Sequence, residues 1–377
     1  MVVINIKLMI YGDAPTLTSS YGKVADYLGR YLIKKGVTVS WAALQYGLGQ
    51  PFEYAGGKVY AGDLTSFPKA LQMEHPDILL HIRDNWVFTK EFFNAPYSFK
   101  PLWERYNIKQ INYTPIQALP VPEAFTNTLV NEAHLTFTMT KWAVNGAVSQ
   151  GVPEDKIDYL YHGVDPAIYH KESTEHHDNK RFIFIGANYD YRKNIPFLLL
   201  AFKKYIDRGH KGDQLYIHAN LIGYYHLPTF LNALKLTNAD VLFREEQSVK
   251  NFGVSVSEND LNKLYNWADA YITATISEGF NMPVLEAERV GLPVIMTDMP
   301  QHRELFNRFD RTHFVSSHND YATVWAYEWH PLLSDMVDKM ESVKPGIVPR
   351  DESKFTEFDW NNIADRFLKV VGERLNI

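Results

Sequence analysis

The sequence predicts an α/β protein of two domains, each built around a mostly parallel β-sheet. Short runs of strand-forming residues alternate with amphipathic helical segments, and this alternation is typical of strand–helix–strand units. The 377 residues exceed the ~100–200 residues of an ordinary single domain. A wholly polar segment at residues 171–180 separates two series of such units, so we place the domain boundary there.

The N-terminal domain is predicted to cover residues 1–172. It opens on an apolar strand at Val2–Tyr11, and a helix at Tyr21–Lys35 follows, with apolar positions spaced three and four residues apart. Gly36 then stands where helices commonly end on glycine. Further strands are expected at residues 37–44, 77–82, 109–113, 135–140 and 156–162.

The second domain is predicted to cover residues 180–357 and to continue the same alternation. Its strands are expected at residues 181–185, 214–219, 239–243, 269–275 and 293–297. Helices are expected at residues 196–206, 258–267 and 284–290. An amphipathic helix is predicted at Trp360–Leu375.

Composition and charge disfavour several classes of protein. The hydrophobic fraction, 46%, and the charged fraction, 22%, are those of a soluble globular protein. The net charge of -6 argues against a nucleic-acid partner, because proteins that hold a phosphate backbone carry a basic surface. The absence of cysteine excludes disulfides and thiolate metal sites, and it fits a cytoplasmic protein.

The hydrophobic pattern predicts neither a signal peptide nor a membrane span. The apolar start, residues 1–10, is too short and wrongly flanked for a signal peptide. No apolar run approaches the ~20 residues that a membrane-spanning helix requires. A soluble protein is therefore expected, and peripheral contact with the inner face of a membrane stays open.

Residues 269–298 carry the strongest chemical signal and are predicted to form a strand, a loop, a helix and a second strand. Pro283 suits a first helical position, because its missing N–H would have no partner there. The loop Ser277–Met282 should therefore end at a helix N-terminus, where free N–H groups and the helix dipole favour an anion. Glu278 falls in this loop, at the carboxyl end of a strand, and Glu286 falls in the first turn of the helix.

Taken singly, these features have ordinary structural explanations. A glutamate in a first helical turn interacts favourably with the dipole alone. A glycine before a helix, as at Gly279, is often only part of a turn, although it also lets a phosphate approach the backbone closely. Their combination favours a binding site for an anionic ligand.

The same segment resembles the retaining GT-B glycosyltransferases of family 4, also described as glycosyl transferases group 1. Those enzymes carry two glutamates separated by seven residues, as Glu278 and Glu286 are here. The other matching positions are, in order, Ser277, Gly279, Phe280, Pro283, Ala287, Gly291, Pro293 and Val294. The resemblance extends to residues 141–157, 161–166, 184–202, 260–269 and 358–360, and only loosely to residues 44–109.

This resemblance implies the GT-B fold, in which two Rossmann-like domains face a central cleft. A C-terminal helix, residues 358–377, would cross back to the N-terminal domain. It also implies an enzyme that transfers a sugar from a nucleotide-diphosphate sugar donor with retention of the anomeric configuration. The acceptor would be a glycan, a lipid or a protein-linked group. The sequence specifies neither the acceptor nor the nucleotide, for which UDP and GDP are the candidates.

Roles for the donor site follow from the resemblance. Glu286 would accept hydrogen bonds from the ribose hydroxyls, to which a carboxylate with two acceptor oxygens is suited. Glu278 would contact hydroxyls of the transferred sugar. The diphosphate would lie against the backbone at the end of the loop and the start of the helix, namely Gly279, Phe280, Asn281 and Met282.

Two basic residues, Arg192 and Lys193, follow a strand that ends near Gly186, which is itself a donor-site candidate. The resemblance implies that they neutralise the leaving diphosphate. Without the resemblance, such a pair is by default a solvated surface. At ~4 Å from a phosphate, each cation would contribute about 4 kcal/mol of attraction before desolvation is subtracted. The family usually places an arginine where this chain has Asn188, so Arg192 would serve instead. No Asp-x-Asp sequence is present, so neither a metal nor another cofactor is expected.

Candidates in the first domain rest on looser matches. Ser20 and Gly22, in the first strand–helix loop, would line the donor phosphates or simply form a tight turn. Residues 77–86 resemble the family's Asp-x-x-His-x-His pattern, with another residue type at the second histidine. His81, Arg83 and Asp84 are all candidates on the acceptor side, with Asp84 as a candidate general base, although a lone histidine is more often structural.

Rival functions remain open at this point. A phosphorylase or an epimerase would use the same two-domain scaffold, and a non-catalytic sugar- or nucleotide-binding protein would keep the fold and lack turnover. A dehydrogenase is disfavoured, because no Gly-x-Gly-x-x-Gly follows an early strand. Release of nucleoside diphosphate from a nucleotide sugar would separate a transferase from a protein that only binds.

Overall fold

A computed structural model of the chain divides the residues that it describes between two units. Those residues are 6–45, 49–63, 65–84, 104–131, 133–173, 177–243, 256–321 and 326–377. The first unit comprises the described residues up to Gly163 together with Thr356–Ile377, and the second comprises Val164–Phe355. Residues 85 and 86, which end the predicted His81 passage, lie outside the described residues.

The first unit contains a mainly parallel sheet within the described ranges. Its strands lie in the order β3-β4-β2-β1-β5-β6-β7-β8, and β3 and β4 pair antiparallel. Five of the six residues of β1 are buried, as expected for a parallel sheet that is covered on both faces. The strands are β1 (Lys7–Gly12), β2 (Thr38–Ala43), β3 (Phe52–Tyr54), β4 (Gly57–Ala61), β5 (Ile78–Ile82), β6 (Lys109–Tyr113), β7 (Leu135–Thr138) and β8 (Ile157–Tyr159).

The helices of this unit follow the predicted spacing of apolar residues. The first helix begins at Ser20, because the Ser19 hydroxyl caps it by accepting a hydrogen bond from the Gly22 N–H at 3.0 Å. It ends before Gly36, whose φ of 91° lies in the left-handed region that favours glycine. The helices are α1 (Ser20–Lys34), α2 (Ser66–Glu74), α3 (Glu123–Asn131) and α4 (Lys141–Ser149), with a 3₁₀ turn at Glu154–Lys156.

The second unit, within its described residues, contains a parallel sheet in the order β11-β10-β9-β12-β13-β14. A separate antiparallel hairpin, β15–β16, follows the last of these strands and was not predicted from the sequence. The strands are β9 (Arg181–Ile185), β10 (Gln214–His218), β11 (Val241–Leu242), β12 (Ala270–Thr273), β13 (Val294–Thr297), β14 (Thr312–Val315), β15 (Ser317–Tyr321) and β16 (Tyr327–Pro331).

Helices pack an apolar core against this second sheet. Phe182 and Phe184 on β9 and Ile272 on β12 lie in one buried cluster with Leu198 and Phe202 of the following helix. The helices are α5 (Ile195–Asp207), α6 (Leu227–Leu234), α7 (Glu258–Trp267), α8 (Met282–Val290), α9 (Pro300–Phe306) and α10 (Leu333–Ser342), with 3₁₀ segments at Tyr191–Lys193 and Glu352–Phe358.

The last helix, α11 (Trp360–Leu375), belongs to the first unit. The Trp360 ring stacks on Tyr27 of α1 with 5.3 Å between ring centroids, and Phe367 packs on Phe137 of β7 at 5.5 Å. The Arg366 guanidinium also pairs with the Asp158 carboxylate at 2.5 Å. None of the helices in the described ranges combines the length and the hydrophobicity that a membrane crossing requires.

Residues 164–172 correct the predicted domain boundary, because they belong to the second unit and not to the first. The Tyr169 ring packs on Tyr265 of α7, with centroids 6.1 Å apart. The side-chain amide oxygen of Asn262 accepts a hydrogen bond from the His170 N–H at 3.1 Å, and that of Asn266, one turn later in α7, accepts from the Glu172 N–H at 2.7 Å. The described residues of the polar run, 171–173 and 177–180, therefore belong to the second unit, and the Asn266 side chain satisfies the backbone N–H of Glu172.

Gly291, which ends α8, offers a test of this fold. Its φ of 99° is left-handed, and an added Cβ would lie 2.3 Å from the carbonyl oxygen of Val348. Gly209 is a matched control, with a φ of 110° and nothing within 4 Å of an added Cβ. We expect Gly291→Ala to lower the free energy of unfolding by ~2–4 kcal/mol and Gly209→Ala by ~1 kcal/mol, as measured by urea denaturation. Equal losses would contradict the packing at residue 348.

Candidate active site

The helix α8 and the loop before it form the centre of the candidate site. Asn281 caps the helix in a left-handed conformation, with a φ of 77°, so the helix begins at Met282. Pro283 is therefore the second helical residue and Glu286 the fifth, and the predictions of a first position and a first turn were wrong. Because the dipole acts within the first turn, it does not by itself explain a glutamate at position 286.

Glu278 lies in the loop as a buried carboxylate between two cations. Its Oε1 pairs with the Lys193 ammonium and accepts a hydrogen bond from the Thr275 hydroxyl at 3.2 Å. Its Oε2 lies 3.5 Å from Nη1 of Arg192. Only 6% of Glu278 is exposed, so these partners supply the stabilisation that water gives a surface carboxylate. The structure thus brings together Glu278, Lys193 and Arg192, which the sequence analysis assigned to one donor site, and it pairs them with each other, which was not predicted.

The charges around Glu278 keep it ionised. Burial alone would raise the pKa of Glu278, but the Lys193 and Arg192 cations outweigh burial and hold that pKa below 4.5. Nearby, burial lowers the pKa of the His302 imidazole to about 4, so this ring is neutral at physiological pH. The site therefore presents one fixed negative charge held by two fixed positive charges.

The two cations are positioned by the backbone of the 3₁₀ turn Tyr191–Lys193. The carboxylate of Asp190 caps this turn by accepting a hydrogen bond from the Arg192 N–H at 3.0 Å. The carbonyl oxygen of Arg192 accepts from the Ile276 N–H at 2.9 Å and from the Thr275 hydroxyl at 3.0 Å. The basic turn and the loop that carries Glu278 are therefore connected through main-chain hydrogen bonds.

The residues at the start of α8 have their side chains engaged within the unit. The Phe280 ring packs edge-on against Phe306, with 6.3 Å between centroids, and Nδ2 of Asn281 lies 3.4 Å from Nε2 of His302. The side-chain amide of Gln301 donates to the carbonyl oxygen of Glu278 at 3.0 Å. The side chains of Phe280 and Asn281 therefore have partners within the unit, and the predicted contact of a diphosphate with the backbone from Gly279 to Met282 stays a prediction.

Glu286 is oriented by a tyrosine that the sequence reasoning did not single out. The Tyr265 hydroxyl donates to Oε2 of Glu286 at 2.8 Å, and burial raises the pKa of Tyr265 well above its usual value, so the phenol stays protonated. The signal was present, because Tyr265 belongs to a segment that resembles the family. Glu288, two residues further, pairs instead with Arg350 at 2.8 Å and is a structural ion pair.

Asn188 and Gly186 have structural explanations in the second unit. The fully buried Asn188 side chain donates to the carbonyl oxygens of Asn220 and Tyr225 at 2.9 and 2.8 Å, and it accepts from the Tyr225 N–H at 3.0 Å. This residue therefore holds a loop where the family usually has an arginine. A Cβ at Gly186 would lie 2.7 Å from the Phe184 ring, so packing alone explains this glycine.

His81 does not lie at an accessible position, which corrects the acceptor-side prediction. It sits in β5 with no exposed surface, and its ring packs on Tyr11 with 5.4 Å between centroids. Burial lowers the pKa of His81 to about 3, so the ring is neutral. Its neighbours in β5 are all buried, because this parallel strand lies inside the sheet. His81 is a core residue in this structure.

The remaining candidates of the first unit lie where β1 and β5 end. The Asp84 carboxylate accepts a hydrogen bond from the Tyr21 hydroxyl at 2.7 Å. Ser20 is the exposed first residue of α1. Gly22 is buried, and a Cβ there would lie 2.4 Å from the carbonyl oxygen of Leu17, which favours the tight-turn explanation.

Asp13 is a further polar group at this edge of the first sheet that the sequence reasoning missed. Its carboxylate accepts from the Ser19 hydroxyl at 2.6 Å and from the Gln45 amide at 2.7 Å, and it lies 3.5 Å from Arg83. Neither unit, within the described ranges, holds a group of three or more histidine and carboxylate side chains that would suit a metal ion.

Curated proteins with related sequences include a glycosyltransferase and a sucrose-phosphate synthase. Residues 179–335 match the family model described as Glycosyl transferases group 1. An uncharacterized glycosyltransferase of Methanocaldococcus jannaschii is 23% identical over 239 residues, which cover 58% of this chain and 54% of that protein. A probable sucrose-phosphate synthase of Thermosipho melanesiensis is 24% identical over 229 residues, covering 59% and 49%. The chain thus spans about half the length of these curated relatives.

Solved structures with a similar fold cover nearly the whole chain. The sucrose-phosphate synthase of Thermosynechococcus elongatus has a TM-score of 0.70 at 11% identity, covering 99% of this chain and 100% of that one. The Anabaena protein HepE, in complex with UDP and glucose, has a TM-score of 0.61 at 13% identity, covering 99% and 98%. These likenesses confirm the GT-B fold, and with the family match they confirm the predicted relationship to the GT-B glycosyltransferases.

The lowered pKa of Glu278 predicts how its contribution to stability depends on pH. An acid whose pKa is lower in the folded state stabilises the fold above its unfolded pKa, here about 4.5, and loses that contribution as the pH falls through the folded pKa. We expect the stability difference between the wild type and Glu278→Gln to be largest near pH 7 and to shrink below about pH 4. Urea unfolding at a series of pH values measures it. As a control, Glu373→Gln removes a carboxylate from an exposed ion pair, and its free energy of unfolding should follow that of the wild type at each pH. A stability difference between the wild type and Glu278→Gln that does not depend on pH would contradict the ion pairing.

Proposed function

We propose that this chain is a retaining glycosyltransferase of family 4, which transfers a sugar from a nucleotide-diphosphate sugar to a glycan, lipid or protein-linked acceptor. The observation that carries the proposal is the buried Glu278 held by Lys193 and Arg192 in the loop that leads into α8. The same helix carries Glu286, so the groups suited to a sugar, a diphosphate and a ribose lie along one short segment. The family match to residues 179–335 covers that segment.

The donor roles follow from the charges of these side chains. Lys193 and Arg192 would bind the diphosphate together with the N-terminus of α8, whose N–H groups favour an anion. Glu286 would accept from the ribose diol while the Tyr265 hydroxyl holds one of its oxygens. Glu278 would accept from hydroxyls of the sugar. UDP with glucose, and UDP-glucose, are bound in structures of the Anabaena protein, which supports a nucleotide sugar as the donor class.

In the proposed reaction, the bond between the anomeric carbon and the diphosphate oxygen breaks while the acceptor oxygen bonds to that carbon from the same face. The acceptor proton passes to the leaving diphosphate, so no protein nucleophile is required. The protein would hold donor and acceptor together and stabilise the charge that grows on the diphosphate. The two cations replace a metal ion in this scheme.

The acceptor would bind to the first unit. A polar group that includes Asp13, Asp84 and Arg83 lies at the strand ends of the first unit and would meet a hydroxyl-bearing acceptor. A cytoplasmic enzyme with a lipid acceptor would make peripheral contact with the inner face of a membrane.

Incubation with a panel of UDP- and GDP-sugars tests the proposed function directly. We expect one donor to raise the melting temperature, because a ligand that binds only the folded state stabilises it. The same donor should release nucleoside diphosphate slowly by hydrolysis and faster with an acceptor. Binding without release would favour a non-catalytic sugar-binding protein, and release only with inorganic phosphate would favour a phosphorylase.

Glu286→Ala should weaken the binding of the nucleoside diphosphate by ~1.5–3 kcal/mol, as expected for lost hydrogen bonds to a charged group. Titration calorimetry with UDP or GDP measures this loss. Glu288→Gln is a poor control because it breaks a buried ion pair, so Glu304→Gln on α9 serves as the control and should bind like the wild type. Unchanged affinity in a folded Glu286→Ala variant would remove the ribose role.

Activity should persist in EDTA, because Lys193, Arg192 and the helix terminus are proposed to carry the charge of the leaving diphosphate. Lys193→Ala should lower turnover by more than tenfold, because the transition state would lose at least about 1.4 kcal/mol of stabilisation when one cation no longer balances the charge on the leaving diphosphate. Steady-state kinetics with thermal unfolding as the folding control measure both effects. Loss of activity in EDTA, restored by a divalent ion, would refute this scheme.

The stereochemical outcome tests the retaining mechanism. Transfer from an α-linked donor should give an α product, read by NMR of the fresh product before mutarotation. Glu278→Gln should lower turnover without eliminating it and should trap no glycosyl-enzyme, because the carboxylate is proposed to position the sugar and not to attack it. A β product would mean inversion, and the family 4 mechanism would then be wrong for this chain.

A further inference from the structure

The hairpin β15–β16 contributes a second carboxylate next to the basic turn. Glu328, on β16, accepts a hydrogen bond from the Tyr191 hydroxyl at 2.6 Å, and Tyr191 is the first residue of the turn that carries Arg192 and Lys193. The adjacent Trp329 N–H donates to the carbonyl oxygen of Ile276 at 2.9 Å. The hairpin is therefore joined both to the basic turn and to the loop that carries Glu278.

The burial of the Glu328 carboxylate does not favour folding. Only 3% of the residue is exposed, and its Oε2 has no hydrogen-bond partner among the residues that the structure describes. Burial, the largest effect, raises the pKa of Glu328, while the Tyr191 hydroxyl, His330 and Arg192 oppose that rise and Asp190 adds to it. A buried acid whose folded pKa is raised destabilises the fold at neutral pH, so stability alone does not explain a glutamate at this position.

The Tyr191 side chain is the means by which Glu328 acts on the cations. Its phenol holds one end of the three-residue turn, and its main chain continues directly into Arg192 and Lys193. The turn is also held by the Asp190 cap, by a 2.9 Å bond from the Asn194 N–H to the Tyr191 carbonyl, and by the bonds to the Arg192 carbonyl described above. The bond to Glu328 adds a restraint on the Tyr191 side chain, so its loss would widen the range of positions open to the first residue of the turn and to the two cations that follow it.

We propose that Glu328 is a positioning residue, which fixes Tyr191 so that Arg192 and Lys193 meet the diphosphate of the donor in one geometry. This proposal rests on the proposed function, because it assigns a ligand to those cations. It adds a residue of an unpredicted hairpin to the site and gives the buried Glu328 side chain a role other than the stability of the fold.

Three variants test the proposal through the affinity for UDP and GDP. Tyr191→Phe removes only the hydroxyl, and Glu328→Ala removes the acceptor together with the rest of the side chain beyond Cβ. Each should weaken nucleoside diphosphate binding about three- to tenfold, the size of one hydrogen bond. Glu328→Gln keeps an acceptor oxygen, so it should stay within about threefold of the wild type. Its melting temperature should equal or exceed that of the wild type, because a buried charge is removed.

A matched control separates this role from a general loss of stability. Tyr205 in α5 makes a similar bond, from its hydroxyl to the Asp213 carboxylate at 2.5 Å, and Asp213 lies before the start of β10. The Tyr191 turn instead follows the end of β9, at the opposite edge of the same sheet. Tyr205→Phe should therefore lower the melting temperature without changing the affinity for the nucleotide.

A double-mutant cycle tests whether Tyr191 acts through the cations. If it does, Tyr191→Phe should have less than about a twofold effect on affinity once Lys193→Ala is present, since coupled residues are not additive. Additive effects, or a Tyr191→Phe variant that binds like the wild type, would overturn the positioning role while the proposed function stands. A wild-type protein that binds neither UDP nor GDP would instead overturn the proposed function, and this proposal with it.

Discussion

The burial of the Glu278 carboxylate between two cations is the constraint on which the candidate site of the second unit depends. A charge that is 6% exposed requires partners at fixed positions, and Lys193 and Arg192 provide them. The backbone follows from this requirement, because the turn that carries the cations and the loop that carries the carboxylate are hydrogen-bonded to each other. In the proposed reaction, the diphosphate would compete with Glu278 for these cations.

Much of the fold was predictable because its signals are local. Apolar runs of five or six residues become buried parallel strands, and the cap at Ser19 together with Gly36 bounds the first helix. Glu278 and Glu286 were also identified from one local segment, by its predicted loop and helix and by its resemblance to the family pattern. The start of α8 was placed one to two residues too late, because the left-handed conformation of Asn281 is not specified by any pattern in the sequence.

The rest could not be read locally, because it depends on contacts between distant segments. His81 resembles a catalytic histidine in sequence, but a strand inside a covered sheet buries every side chain, so alternation gives no sign of which residue is accessible. Asn188 stands where the family usually has an arginine. Its structural role is evident only from its hydrogen bonds to a loop that lies 32 to 37 residues further along the chain. Glu328 lies 137 residues from the tyrosine that it binds, and no spacing rule reaches that far.

The return of α11 to the first unit has a consequence for how the chain is made. Residues 164–355 are synthesised before Trp360, so the whole of the second unit precedes the helix that completes the first. Until α11 is in place, Tyr27 lacks its stacking contact with Trp360 and Phe137 lacks its contact with Phe367, so this part of the first unit exposes more apolar surface. The packing of the earlier unit therefore depends on a segment that is made after the later one.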